Sequence, residues 1–405
     1  VEEAQTTKAP IQRLADWVAA RFVAAILVLS LATFVMWQWL LPELSHQPAW
    51  ITAIAVLIIA CPCALGLATP VAVLAGSARA AGHGVLVKGG AVLERAARVT
   101  DVVLDKTGTL TTGEMTIHTT TSLGTLPEAE WLALAAAVER RALHPLAAAI
   151  VLHAQAETST PAYLPEAMDV KVLPGRGAQG RVLKGSGAGW QVAVGNARLL
   201  AELGLPLPAE DEDSGNTEAT GDTGHLGQTR GSPDAGASRV YVAVDGALVG
   251  RLTLTDPLRP DAAEAVRALT ASGVRVHLFS GDRPAAVAVV AKAAGITHAE
   301  GGLLPDAKLL RIRDLQAQGA VVAMVGDGLN DAPALTQADL GVAVSTGSDL
   351  ALESAHVILM QARLLGMVET LAIARGTLRA IKQNLGLSVG YNLIAVPLAM
   401  SGYII

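Results

Sequence analysis

Three long stretches without a charged residue set the first limit on what this chain can fold into: Phe22 to Leu41, Ala49 to Ser77 and Leu385 to Ile405. The first and last hold 20 and 21 residues, enough for a helix across a hydrocarbon core about 30 Å thick. The whole chain is 51% hydrophobic, too apolar for a purely soluble protein of 405 residues. Basic residues flank these stretches on one side: Arg13, Arg21, Arg79, Lys88, Arg375, Arg379 and Lys382. The loop from Pro42 to Pro48 has no Lys or Arg. That asymmetry predicts an integral membrane protein with the loop outside and the large middle region in the cytoplasm. A formal net charge of −6 gives no footing for a nucleic-acid partner. The two cysteines, Cys61 and Cys63, are too close in sequence to suggest a disulfide scaffold.

Between the second and third stretches, three apolar runs each end on an acidic site. Val102-Val103-Leu104 ends at Asp105, Val274 to Phe279 at Ser280-Gly281-Asp282, and Ala320 to Val325 at Gly326-Asp327-Gly328. Helical patterns over Pro260 to Ser272, Pro284 to Ala294 and Ala307 to Gln318 intervene. Alternating strands and helices predict a doubly wound parallel sheet, whose ligands bind at the carboxyl ends of its strands. The long gap between the first run and the other two predicts an inserted α+β domain over 113–252. It carries a helical pattern from Glu128 to His153 and a glycine-rich turn from Pro174 to Gly180. Within it, Pro208 to Ser238 is polar, glycine-rich and nearly free of large apolar residues, which predicts a disordered surface loop.

The chemistry concentrates in Asp105-Lys106-Thr107-Gly108-Thr109-Leu110-Thr111. An aspartate delivered by a buried strand is a fixed nucleophile. The turn after it brings backbone N–H groups, an ammonium and hydroxyls near an incoming phosphate. Phosphoryl transfer also needs a divalent cation and charge neutralisation. Asp327 and Asp331 offer oxygen donors of the kind Mg²⁺ prefers, Thr107 a further oxygen, and Lys308 an ammonium for a phosphate oxygen.

In this order, Asp-Lys-Thr-Gly-Thr, Ser-Gly-Asp, Pro-x-x-Lys and Gly-Asp-Gly-x-Asn-Asp resemble the haloacid-dehalogenase-like core of the P-type ATPases. The resemblance implies ATP as substrate, Mg²⁺ as cofactor and transient phosphorylation of Asp105. It implies a phosphorylation domain over 81–112 and 253–368, and assigns Lys106, Thr107, Ser280, Gly281, Asp282 and Lys308 to it. Thr255 to Arg259 looks like the family's hinge segment. The insert resembles the nucleotide-binding domain of the heavy-metal branch. That likeness makes Glu139, His144, Gly175, Gly177, Gly195 and Asn196 nucleotide-contacting residues. Ala142 and Leu143 depart from the branch, which often has Ser and Glu there.

Cys61-Pro62-Cys63 lies about 18 Å into its stretch at helical rise, near mid-membrane. The proline frees backbone carbonyls there. Two thiolates suit Cu(I), and less exclusively Zn(II). Tyr391 and Asn392 place polar groups inside an apolar helix, unusual enough to suggest function. These features resemble the copper-transporting subgroup; a zinc-type pump is expected to carry a Lys in this helix, and none follows Lys382. The reading is therefore a Cu(I) exporter of a bacterial plasma membrane, with a copper chaperone as the expected source of its copper. Residues 1–80 hold the lead-in and two membrane helices, and 369–405 the linker and third. The family's actuator domain, further helices and amino-terminal metal-binding domains have no counterpart in this sequence, which reads as a fragment. Two other readings stay open: a Zn, Cd or Pb pump, and a phosphohydrolase of the same core without transport.

Overall fold

The structure, a computed structural model, describes residues 10–40, 48–60, 63–142, 144–157, 164–184, 188–208, 237–327, 331–344 and 353–403. The disordered loop expected at 208–238 lies almost wholly outside them, as do Cys61 and Pro62. The chain forms two compact units. One comprises Val1–Asp105, Asp261–Phe279 and Leu303–Ile405; the other comprises Lys106–Pro260 and Ser280–Gly302.

In the first unit the strands run in the order Val85–Val87, Val357–Leu359, Leu340–Val344, Val322–Gly326, Asp101–Asp105, Arg275–Phe279. All neighbours pair in parallel except Val85–Val87, which is antiparallel to its partner. That antiparallel edge was not legible in three apolar residues. Asp101–Asp105, Val322–Gly326 and Leu340–Val344 are buried along their whole length. A parallel sheet covered on both faces requires such continuous apolar runs. Register sets Asp105 beside Phe279 and Leu104 beside Val325, so the predicted acidic ends share one edge of the sheet.

The opposite ends of these strands are tied by charge. The fully buried Asp101 carboxylate accepts from Arg275 Nε at 2.7 Å and Nη2 at 2.8 Å, from Thr100 Oγ1 at 2.7 Å, and faces His277 Nε2 at 2.9 Å. Burial alone would raise its pKa; the hydrogen bonds from Arg275, Thr100 and His277 hold it at about 2.

Of the three expected spans, the first is helical over Pro10–Val35 and continues as a π-helical turn over Met36–Leu40. Its Ala20–Leu40 portion, 21 residues with mean hydropathy 2.0, is the one helix among the described residues long and apolar enough to cross a membrane. The second stretch is two helices, Ala49–Ile59 and Cys63–Gly82, parted at the Cys-Pro-Cys sequence. The third is the end of a 36-residue helix, Leu365–Met400. Its apolar part is shortened by Ser388, Tyr391 and Asn392. These helices pack through Ile26, Ala55, Val56, Ala60, Val396 and Ala399. Ser30 Oγ donates to the Ala53 carbonyl at 2.8 Å and Trp37 Nε1 to that of Met400 at 2.7 Å.

The long helix is fastened at two points to the ends of the Ala262–Ala271 helix and to the chain just before Asp101. Asp261 accepts from the Leu365 N–H at 2.9 Å while its own carbonyl starts the Ala262–Ala271 helix. Arg375 donates to the carbonyls of Ser272 and Val99 at 3.2 and 3.3 Å.

The second unit holds a six-stranded antiparallel sheet, in the order Thr116–Ser122, Ala247–Thr255, Ser238–Val244, Ala188–Gly195, Gly177–Lys184, Ala167–Leu173. Asp245 and Gly246, at φ 48° and 78°, make the two-residue hairpin that joins two of them. The helical pattern expected from Glu128 to His153 is two helices, Glu128–Glu139 and Pro145–Glu157. Pro145 has no N–H and fixed φ, so it begins the second helix and cannot continue the first. Trp131 is fully buried above Gly250, where an added Cβ would stand 2.7 Å from its ring.

Candidate active site

Asp105 ends its strand with its side chain buried. Lys308, on the Pro305–Ala317 helix, reaches it: Nζ lies 2.5 Å from Asp105 Oδ1 and 2.8 Å from Asp331 Oδ1. All three side chains are more than nine-tenths buried. One ammonium therefore serves two carboxylates. Burial, with the charges of Asp331 and then Asp327, pushes the Asp105 carboxyl up to about 7 against the pull of Lys308. Burial would lower the Lys308 pKa, but Asp105 and Asp331 hold it above its usual value.

This donor set fits a divalent cation. The carboxylates of Asp105, Asp331 and Asp327 outnumber the ammonium beside them, and all their donors are hard oxygens. The geometry also gives Asp331 a second partner. Asp331 is 1% exposed and spends Oδ1 on Lys308, so here it holds the lysine in place. A Cβ at Gly326 would stand 2.9 Å from Asp331 Oδ2, which is why this strand ends on glycine. Gly328 to Asn330 lie outside the described residues.

In the second unit, Lys106 forms an ion pair with Asp282. Ser280 is buried, and its Oγ accepts from the Asp282 N–H at 3.1 Å, holding the Ser280-Gly281-Asp282 turn. Thr107 is exposed. The turn from Lys106 to Leu110 is irregular, with Gly108 at φ 69°.

The predicted nucleotide residues divide into two groups. Glu139 is buried at the end of its helix, and burial raises its carboxyl pKa to about 7. Gly180 lies under Val138, which brings this helix end onto the strand that begins at Gly177. His144 is exposed, and its Nδ1 accepts from the Leu146 N–H at 3.2 Å, capping the next helix. Gly175, at φ 72°, faces open space. Gly177, Gly195 and Asn196 are occupied by the fold itself. A Cβ on Gly177 would lie 2.1 Å from the Val194 carbonyl, and one on Gly195 2.3 Å from that of Arg176. Asn196 donates to the Gly175 carbonyl at 2.8 Å, and its Oδ1 caps the Ala197–Glu202 helix through Arg198 and Leu199 N–H.

Of the membrane residues, Cys63 opens its helix and Cys61 lies outside the described residues. Asn392 is 8% exposed, and its Oδ1 is buried without a hydrogen-bond partner among the described residues. Tyr391 points elsewhere. It is 61% exposed and lines an apolar groove of about 450 Å³ with Trp50, Ile54, Ile58, Ile394 and Leu398.

A family model for the haloacid dehalogenase-like hydrolases matches residues 102–339, more than half of the chain and all of the strands that carry the acidic ends. The chain belongs to that family. Within it, the kinship lies with heavy-metal P-type ATPases. Over 403 residues the chain is 43% identical to a probable copper-exporting P-type ATPase V of Mycobacterium tuberculosis (strain CDC 1551 / Oshkosh), covering 99% of this chain and 49% of that protein. It is 40% identical over 399 residues to a copper-transporting P-type ATPase of Rhizobium leguminosarum bv. viciae, covering 98% and 45%. A solved zinc-transporting PIB-type ATPase in its E2.Pi state matches with TM-score 0.75 and 36% identity, over 99% of this chain and 61% of that one. The chain spans about half the length of the curated relatives it matches.

Proposed function

We propose that this chain carries the catalytic core and part of the membrane region of an ATP-driven Cu(I) exporter working through an aspartyl phosphate on Asp105. The observation that carries this reading is the buried Asp105–Lys308–Asp331 group at the carboxyl end of the sheet. In the proposed step an Asp105 carboxylate oxygen attacks the γ-phosphorus of ATP, the bond to the β-phosphate oxygen breaks, and ADP leaves. Lys308 offsets charge on the transferred group and Asp331 holds Lys308. Asp105, Asp327 and Asp331, with Thr107 close along the chain, are the residues that would hold Mg²⁺. When bound, the cation supplies positive charge against the phosphoryl oxygens.

Residues 113–252 serve as the nucleotide-binding domain, with Glu139, His144 and the Gly175 turn as its contacts. Lys106, Gly281 and Asp282 order the loops beside the phosphoryl group. Cys61, Cys63 and Asn392 hold the transported ion, with Tyr391 assigned to the same site on sequence alone. The spans have no Asp or Glu near Cys61, so a monovalent soft ion costs less to bury than Zn²⁺. The parent protein sits in a bacterial plasma membrane with these domains in the cytoplasm, and receives copper from a chaperone. The likeness to a zinc transporter supports a second reading, with Zn(II) as cargo.

Labelling from γ-labelled ATP tests the enzyme reading. An acid-stable, hydroxylamine-sensitive label that disappears in Asp105→Asn is expected; label that persists in this variant overturns it. In the full-length protein, Cu(I) under reducing conditions should stimulate turnover and Cys61→Ser should abolish the effect. Stimulation by Zn²⁺ alone would select the second reading.

A further inference from the structure

The segment from Asp256 to Arg259 grips the loop that follows Asp105 at more points than a flexible connection requires. Arg259 is 8% exposed. Its Nε donates to the Thr109 carbonyl at 2.8 Å and its Nη2 to the Gly108 carbonyl at 2.7 Å. Its backbone N–H donates to the Leu110 carbonyl at 3.0 Å. Asp256 completes the grip from the other carboxyl-bearing end. Its Oδ2 accepts from Thr111 Oγ1 at 2.6 Å, and its Oδ1 accepts from the Gly113 N–H at 2.9 Å and Thr112 Oγ1 at 3.3 Å. The Thr112 N–H donates to the Pro257 carbonyl at 2.9 Å. Every residue from Gly108 to Gly113 is thus bonded to this segment.

The peptide unit is planar, with its N–H opposite its C=O. Pinning the carbonyls of Gly108 and Thr109 therefore also fixes where the N–H groups of Thr109 and Leu110 point. Gly108 sits at φ 69° and Gly113 at φ 76°, and a Cβ on Gly113 would come 3.0 Å from the Gly108 Cα. A turn with two left-handed glycines has many conformations to lose, so an external fixture has a large effect on it. Only a guanidinium presents two coplanar donors to neighbouring carbonyls in this way; a lysine presents one compact charge.

We propose that Arg259 and Asp256 are positioning residues for phosphoryl transfer: they hold the Gly108–Gly113 loop in the shape that receives the phosphate, and do not themselves touch ATP. The proposal rests on the reading of Asp105 as phosphoryl acceptor. It assigns Asp256-Pro257-Leu258-Arg259 a role in the chemical step, beyond that of a hinge.

Acyl-phosphate formation and nucleotide affinity, measured side by side on the full-length protein, test it. Arg259→Gln should slow labelling by roughly tenfold or more while affinity for a fluorescent ATP analogue stays within about twofold. Arg259→Lys should fall between it and the parent. Added guanidinium, but not ammonium, should restore labelling to Arg259→Gly. If Arg259→Gln does not fold, Asp256→Asn decides, with the same split between labelling and affinity expected. Labelling at the parent rate, affinity falling in step with labelling, or no rescue by guanidinium would overturn the proposal. A parent protein that binds the analogue but never labels would remove the Asp105 reading, and this proposal with it.

Discussion

The two units spend their signature residues in opposite ways. In the sheet that ends at Asp105, the signature side chains face one another: two buried carboxylates converge on one ammonium. In the insert, Gly177, Gly195 and Asn196 are absorbed by backbone packing and capping. Gly175, Glu139 and the exposed His144 remain for the nucleotide. A signature residue can thus mark chemistry or mark the scaffold that permits it, and burial and partners tell the two apart.

Removing Lys308 should show the largest effect. Lys308→Met leaves Asp105 and Asp331 buried without their cation, and breaking such a group costs about 3–5 kcal/mol. The loss, read from chemical denaturation, should shrink as pH falls through about 7, where Asp105 takes up its proton. A stability unchanged from the parent would mean that this group is solvated and the contrast with the insert is false.

Gly177 and Gly175 provide the next test. Gly177→Val forces a side chain into the Val194 carbonyl and should destabilise the insert by about 3 kcal/mol. Gly175→Ala meets only the strain of its left-handed backbone, about 1 kcal/mol. Calorimetry that ranks the two the other way round would reverse their assignment. If Gly175 borders the nucleotide, its substitution should weaken ATP binding more than it weakens the fold.

Glu139 gives the most pH-dependent change. Its folded pKa of about 7 lies above the ordinary value of 4.5, so the folded state holds the extra proton between those values. Stability from this group is present below about pH 4.5 and lost as pH rises towards 7. Glu139→Gln should remove that slope and gain up to about 3 kcal/mol at pH 8, at the rate of about 1.4 kcal/mol per pKa unit. Melting midpoints at pH 5 and pH 8 that shift equally in both proteins would show that the carboxyl is not buried from water.

The acidic strand ends were legible because each is local: an apolar run, then Asp, within a few residues. The Pro284–Ala294 helix was legible for the same reason, with proline at its start and Gly295 at φ 78° closing it. Contacts between distant segments were not. Arg259 is 150 residues from the carbonyl it holds, and Lys308 owes its position to a strand register that no spacing rule contains. Tyr391 and Asn392 read as one polar pair, yet adjacent residues on a 3.6-residue helix point about 100° apart. One is buried and the other lines a groove.

Two fixtures on a rod determine a line. The helix Leu365–Met400 is held at Leu365 by Asp261 and ten residues later through Arg375, so its axis is set by the Ala262–Ala271 helix and the chain before Asp101. Pivoting about either point alone would break the other. The remaining span to Asn392 is a lever arm of about 25 Å at helical rise, on which a ten-degree turn of the base sweeps the tip through about 4 Å. That is more than the reach of a metal–ligand bond, which is about 2.0–2.3 Å for nitrogen and sulfur donors. On the proposed reading of Asn392 as a ligand of the transported ion, a modest rotation of these anchors would suffice to bring its oxygen into or out of ligand range.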